Sequence, residues 1–314
     1  MYNKNKTFIM KISIVMTAFN IETYIQKAIE SVLNSTYKDI ELILVEDCST
    51  DKTLSIIQDY MNKDKRVKLI KHEVNVGAGQ SRRDGIEAST GDYVITIDGD
   101  DEITSTFLAD LVKKAKETDA DIVSGGITIK DSDEDYTKTQ SWGNRISTGH
   151  QKFKDYSKQR IIFLNNKIVR RSLYATKEER EKGVKDKVIY CNRRYCEDTP
   201  TIIPLMFYAN KIAYCDNVGY IYNMRDTSLT HKTDLFVQNI YKALCAVDII
   251  EFFKNKQDYH KYMNVDEFAN FMYIARTNIN NDNINKYATE WIFLSCKLLD
   301  YMKDKTDALN RQNK

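Results

Sequence analysis

The sequence predicts an α/β protein: a mostly parallel sheet flanked by helices, followed by a C-terminal helical appendage. Three observations predict it. Short apolar runs alternate with amphipathic stretches through the first third of the chain, and strands alternating with helices imply βαβ units. Several of those runs end in polar clusters, as strands do when a ligand site lies beyond their carboxyl ends. Beyond about Asp234 the apolar spacing becomes helical.

The elements follow in order. Ile12 to Met16 is an apolar run suited to a buried strand. Ile25, Ala28, Ile29, Val32 and Leu33 recur at helical spacing and mark one apolar face. Glu41 to Val45 is the next strand, and Leu54, Ile57 and Met61 mark a second amphipathic helix. Val67 to Ile70 and Tyr93 to Ile97 are further strands, with a helix from about Ser81 to Ala88 between them. Asp131 to Asp135 is acidic, and the weak periodicity through about residue 155 predicts a solvated loop. Thr199 to Ala209 reads as a helix, and Lys211 to Cys215 and Val218 to Met224 as strands. Ile240, Leu244, Val247 and Ile250 form a periodic series, and two more helices carry Phe271, Tyr273 and Ile274, then Trp291, Leu294 and Leu298. The organisation is an N-terminal tail (1–10), a catalytic domain (11–230) and a helical region (231–314).

Composition excludes several classes. A chain with 42% hydrophobic and 29% charged residues folds into a globule, and a net charge of +2 gives no general affinity for nucleic acid. No run approaches the ~18 apolar residues that span a bilayer. The polar, lysine-bearing N-terminus carries no secretory signal pattern. Six scattered cysteines do not form a disulfide framework, which points to the cytoplasm, and Cys191, Cys196 and Cys215 lack the spacing of a zinc site.

The chemistry gathers at three predicted strand ends: Thr17 to Asn20, Glu46 to Asp51, and Asp98-Gly99-Asp100-Asp101. Asp and Ser are also common turn and cap residues. Three aspartates within four positions nevertheless repel one another unless a cation neutralises them. Hard oxygen donors favour Mg2+ or Mn2+ over zinc.

These motifs, in this order, resemble the family-2 glycosyltransferases of the GT-A fold, especially bacterial enzymes that build surface polysaccharides. Ala18-Phe19-Asn20, Glu46-Asp47 with Ser49-Thr50-Asp51, Asn75-x-Gly77 followed by Arg82 and Gly85, the Asp98 to Asp101 metal motif, and the acidic pair Glu197-Asp198 all match. Asn166-Lys167 through Arg170-Arg171 and Tyr222 to Arg225 also look like family segments, so the resemblance spans roughly 11 to 230. It implies a Rossmann-like nucleotide-binding half and inverting transfer of a hexosyl or N-acetylhexosaminyl group. The donor would be a nucleotide sugar, with UDP the favoured nucleotide, and the acceptor a glycan or lipid-linked oligosaccharide. It also implies roles. Ala18, Phe19 and Asn20 line the donor's base and ribose, and Asp47, beside Glu46, accepts from the nucleobase. Asn75 and Gly77 shape the donor loop, and Arg82 reaches the diphosphate or, failing that, forms a surface ion pair. Asp98 and Gly99 meet the ribose or metal shell, Asp100 ligates Mn2+ or Mg2+, and Asp198 with Glu197 is the base. The same acidic pair also suits a helix start before Thr199-Pro200.

The chain departs from the family pattern at Glu46, where Asp is usual, at Cys48, where Gly is frequent, and at Arg83, where Asn is common. Rival readings are an aspartate-dependent phosphatase using Asp98 and Asp100, and a catalytically lapsed assembly partner. The C-terminal aromatics Tyr259, Tyr262, Phe268, Phe271, Met272 and Tyr273 offer core packing, peripheral contact at the inner face of a membrane, or a homo-oligomer interface. His231 is a further candidate near the diphosphate or metal.

Overall fold

The computed structural model describes residues 9–131, 137–149, 151–153, 155, 163–193, 196–225, 235–254, 289–298 and 300. By its internal packing the chain divides into two compact units, Met1–Arg194 with Leu205–Arg225, and Tyr195–Pro204 with Asp226–Lys314.

The first unit is built on one sheet. Its opening elements are β1 (Ile12–Ala18), α1 (Ile25–Leu33), β2 (Ile40–Glu46), α2 (Thr53–Lys63), β3 (Val67–Lys71), α3 (Ala78–Ala88), β4 (Tyr93–Asp98) and β5 (Glu102–Ile103). There follow α4 (Phe107–Thr118), β6 (Ile122–Asp131), β7 (Thr137–Gln140), β8 (Ile146–Thr148), β9 (Lys167–Arg170), the short α5 (Lys177–Glu181), α6 (Asp198–Tyr208), whose residues up to Pro204 are counted with the second unit, and β10 (Lys211–Met224). The strand order is β3-β2-β1-β4-β9-β6-β10-β5, with β7 beside β6 and β8 beside β10. The pairs β1–β2, β1–β4 and β2–β3 are parallel. Strand order therefore reverses at β1, with β2 on one side and β4 on the other, and the crevice for a ligand opens at the carboxyl ends of these strands.

The centre of the parallel half forms because β1, β2 and β4 are largely apolar and buried on both faces, as in β2, where all seven residues are buried, while β3 at the edge is only partly buried. Ile25, Ala28, Ile29 and Val32 of α1 cover one face. Helix α3 approaches the sheet closely through Gly85, whose added Cβ would lie 2.3 Å from Val15 Cγ1 and 3.1 Å from Val45 Cγ2. The one deeply buried carboxylate at the amino end of β2, Glu41, accepts from Ser13 Oγ at 2.6 Å, Thr90 N at 2.7 Å and Lys68 Nζ at 2.6 Å.

The second half of the sheet departs from the parallel expectation. β6 and β10 are parallel, but β9 lies antiparallel between β4 and β6, and β5, β7 and β8 pair antiparallel. Residues 137–140 and 146–148, predicted as loop, are strands. Their weak alternation reflects edge positions, where one neighbour rather than two dictates the pattern. The two predicted strands across 211–224 are one strand with register shifts between Tyr214, Val218 and Tyr220. The predicted break at Asp216-Asn217 coincides with that bulge.

In the second unit, α7 (Leu235–Lys254) carries the predicted periodic series. Phe236, Ile240, Leu244, Val247 and Ile250 form a buried cluster with Leu294, and Trp291 and Leu298 pack against it. No described helix is long and apolar enough to cross a membrane. His231 and the aromatics between Tyr259 and Ile274 lie outside the described residues.

Candidate active site

Each strand end at the crevice is braced by the next. The carboxylate of Asp47, following β2, accepts from Val76 N at 2.9 Å and Gly77 N at 2.8 Å, so it holds the loop that leads into α3. Gly77 has φ +89°, a conformation L side chains rarely adopt, and this turn aims the loop amides back at Asp47. Asn75 Nδ2 donates to the Asp47 carbonyl at 3.2 Å. His72 sits between two acids, with Nδ1 2.9 Å from Asp47 Oδ1 and Nε2 3.1 Å from Asp84 Oδ2. After β1, Ala18 is buried, its carbonyl accepting from Asp47 N at 2.9 Å, while Phe19 is 44% exposed. Asn20 Oδ1 accepts from Thr50 N at 2.8 Å and stitches the first two strand ends together.

The three departures from the family pattern have local explanations. Glu46 Oε1 accepts from Ser49 N at 2.5 Å, while Oε2 is buried and has no hydrogen-bond partner among the described residues. Cys48 has φ +65°, the left-handed region that explains a preference for glycine at this position. Arg83 donates through Nε to the Tyr190 carbonyl at 2.7 Å.

The acidic turn follows β4. Asp98, Asp100 and Asp101 each offer a carboxylate oxygen within 4.8 Å of the others. Their environments differ. Asp98 is paired with Arg82 Nη2 at 2.5 Å and accepts from Asn165 Nδ2 at 2.9 Å. Arg82 is only 6% exposed and the Asp98 side chain 26%, so the ion pair is a half-buried one rather than a surface one. Asp100 is paired with Arg225 Nη2, and its carbonyl accepts from Asn223 Nδ2 at 2.9 Å. Asp101 is 1% exposed and accepts from Tyr220 Oη at 2.5 Å and Asn223 N at 2.9 Å. Burial, and then the charge of Asp98, pushes the Asp101 carboxyl well above the usual carboxylate range. Asp101 therefore anchors the turn to β10, leaving Asp98 and Asp100 as the more accessible pair. Gly99 lets the turn lie flat on β1, since an added Cβ would meet Ile21 Cδ1 at 2.5 Å and the Thr17 carbonyl at 2.7 Å. An all-carboxylate oxygen donor set of this size fits a hard divalent cation.

The model of glycosyl transferase family 2 matches residues 13–176. The chain belongs to that family. It is 32% identical over 245 residues to the glycosyltransferase EpsJ of Bacillus subtilis, a match covering 75% of this chain and 69% of EpsJ. Among solved structures, S. aureus TarS (residues 1–349, in complex with UDP-GlcNAc) superposes with TM-score 0.67 at 21% identity, covering 96% of this chain and 84% of TarS. The mannosyltransferase PcManGT of Pyrobaculum calidifontis, in complex with GDP-Man and Mn2+, superposes with TM-score 0.55 at 14% identity, covering 90% and 80%. The protein is thus a glycosyltransferase of GT-A fold, and the crevice at the reversal of strand order is its candidate donor site.

The structure gathers Ala18, Phe19, Asn20, Glu46, Asp47, Asn75, Gly77, Arg82, Asp98, Gly99 and Asp100 in the first unit, most of them linked by the contacts above. Glu197 and Asp198 belong to the second unit, where Glu197 is buried and Asp198 begins α6. Sequence reasoning missed His72, Asn165 and Tyr220 as supports of the site. His72 stands three residues before Asn75, and Asn165 directly precedes a recognised segment. Their partners are set by strand pairing, which spacing along the chain does not reveal.

Proposed function

We propose that this glycosyltransferase is inverting and divalent-metal-dependent, moving a sugar from a UDP-sugar to a hydroxyl of a glycan or lipid-linked oligosaccharide in surface-polysaccharide biosynthesis. The observation that carries the reading is the convergence of the Asp47-braced loop and the Asp98 to Asp101 turn at one crevice. Phe19, exposed at its rim, stacks on the base. Asp47 retains acceptor capacity beyond its two loop amides and takes a hydrogen bond from a base N–H. Arg82, already directed at Asp98, places its guanidinium toward the diphosphate. Asp100, with Asp98, holds Mn2+ or Mg2+, which when bound neutralises the charge growing on the leaving diphosphate. Asp198, with Glu197 beside it, takes the proton of the attacking hydroxyl. Attack opposite the leaving nucleotide inverts the anomeric carbon without a covalent intermediate. The choice of UDP over GDP follows TarS, which exceeds PcManGT in both identity and TM-score.

The test is a transfer assay on the full chain with UDP-sugars and Mn2+, reading UDP release and product anomeric configuration. Asp198→Asn should keep UDP binding and lose about 100-fold or more in turnover. A variant as fast as the wild type removes Asp198 as the base, and a product that retains the donor's configuration rejects the inverting mechanism.

A further inference from the structure

Arg225 directly follows β10, and its guanidinium reaches Asp100 Oδ2, the carboxylate to which the proposed function assigns the cation. Three features hold it there. Its guanidinium carbon lies 4.7 Å from the centroid of the Tyr24 ring, a cation–π distance. Both partners are enclosed, with side chains 17% and 19% exposed. Asn223, two residues earlier in β10, grips the acidic turn through the Asp100 carbonyl at 2.9 Å and the Asp101 carboxylate at 2.9 Å. The strand end is thereby fixed against the turn, and Arg225 is delivered to Asp100 rather than wandering to it.

The three acids are not equivalent in this respect. Asp98 shares its charge with Arg82 and Asn165, and Asp101 is satisfied by Tyr220 and Asn223. Among the described residues, Arg225 is the one side chain that meets the Asp100 carboxylate. The grip is incomplete on the arginine's side. Its Nε is buried and, among the described residues, has no hydrogen-bond partner. A guanidinium with an unsatisfied buried donor is held less firmly than one with every N–H engaged.

We propose that Arg225 is an internal competitor for the metal ligand Asp100: guanidinium and divalent cation are alternative partners of this carboxylate, and Arg225 must leave it for the cation to coordinate. This inference rests on the metal reading given above. The physical reason is charge. A cation bound at the short distance a carboxylate–metal bond requires would sit beside the guanidinium, and the two repel strongly in an enclosed site. Arg225 thus sets a threshold that the cation must overcome.

The experiment measures Mn2+ affinity by calorimetry on the full chain without nucleotide, for the wild type, Arg225→Gln and Arg225→Lys, with folding checked by thermal melting. Arg225→Gln should bind Mn2+ about tenfold more tightly, a gain of ~1.4 kcal/mol. Arg225→Lys keeps the charge but loses the planar fork and its stacking on Tyr24, so it should fall between the two. Equal or weaker binding by Arg225→Gln overturns the proposal, because Arg225 would then be neutral toward the cation or help to hold it. Tighter binding by Arg225→Lys than by Arg225→Gln also overturns it, since a retained positive charge would then favour the cation rather than oppose it. Failure of every form to bind Mn2+, with UDP added as well, would sink the metal reading itself.

Discussion

Asp47 is expected to recognise the donor base, yet its geometry gives it a second task that can be measured without any donor. Its two carboxylate oxygens accept from Val76 N at 2.9 Å and Gly77 N at 2.8 Å, and its side chain is 5% exposed. Asp47→Asn preserves the shape and replaces one oxygen with a donor. Whichever way the amide turns, one of the two loop N–H groups then faces another N–H. The loss is one hydrogen bond to a charged acceptor, about 1.5–3 kcal/mol, together with a partly buried donor left unsatisfied, about 1–3 kcal/mol. His72 recovers part of this, because its Nδ1 can accept from the new amide. A net destabilisation of about 3 kcal/mol is expected, or roughly 6–12 °C in Tm for a unit of this size. Thermal unfolding followed by circular dichroism at neutral pH, without nucleotide, reads it directly. A variant that melts within about 1 °C of the wild type would refute the bracing role and leave Asp47 a ligand contact only.

Two further outcomes follow from packing and charge. Gly85→Ala drives a Cβ to 2.3 Å from Val15 Cγ1, so despite alanine's better helix propensity it should destabilise by about 2 kcal/mol, as overpacked cores do; an unchanged denaturation midpoint would contradict the close seating of α3. Burial by itself would raise the Glu41 pKa, but Lys68, Ser13, the Thr90 amide and Lys11 outweigh it and hold the carboxyl well below the usual range. A depressed folded pKa contributes stability above the unfolded value, near 4.3, that is lost as pH falls toward the folded one. Glu41→Gln should therefore cost about 2 kcal/mol at pH 7, with the gap from the wild type narrowing below about pH 4 in parallel melts, whereas a gap independent of pH would mean that its charge contributes nothing.

The parallel half is legible because β1, β2 and β4 are largely buried and read as apolar runs, and because chemistry in such sheets sits at strand ends. Ile12 to Met16, Glu41 to Val45 and Tyr93 to Ile97 were placed within one or two residues of β1, β2 and β4. The acidic turn was visible for the same reason that it is chemically unusual, its packed like charges. What stayed hidden was the antiparallel insertion of β9 between β4 and β6, a non-local pairing with no local signature. Hidden with it was the division of labour within the turn. Nothing in Asp98-Gly99-Asp100-Asp101 distinguishes the aspartate buried against Tyr220 from the one facing Arg225, since both partners arrive from β10 and the residue after it, more than a hundred positions away. Arg225 itself stood in a recognised segment, but only the folded strand gives it a role.

The central claim is that the Asp98 to Asp101 turn, through Asp100, binds a cation that in turn holds a nucleotide diphosphate. Calorimetric titration of UDP into the wild type and Asp100→Ala, each with and without Mn2+, tests it most directly. The account predicts tight binding to the wild type that weakens sharply when either Mn2+ or Asp100 is removed. Equal binding in all four titrations, or none to a folded wild type with UDP and Mn2+ both present, would contradict it.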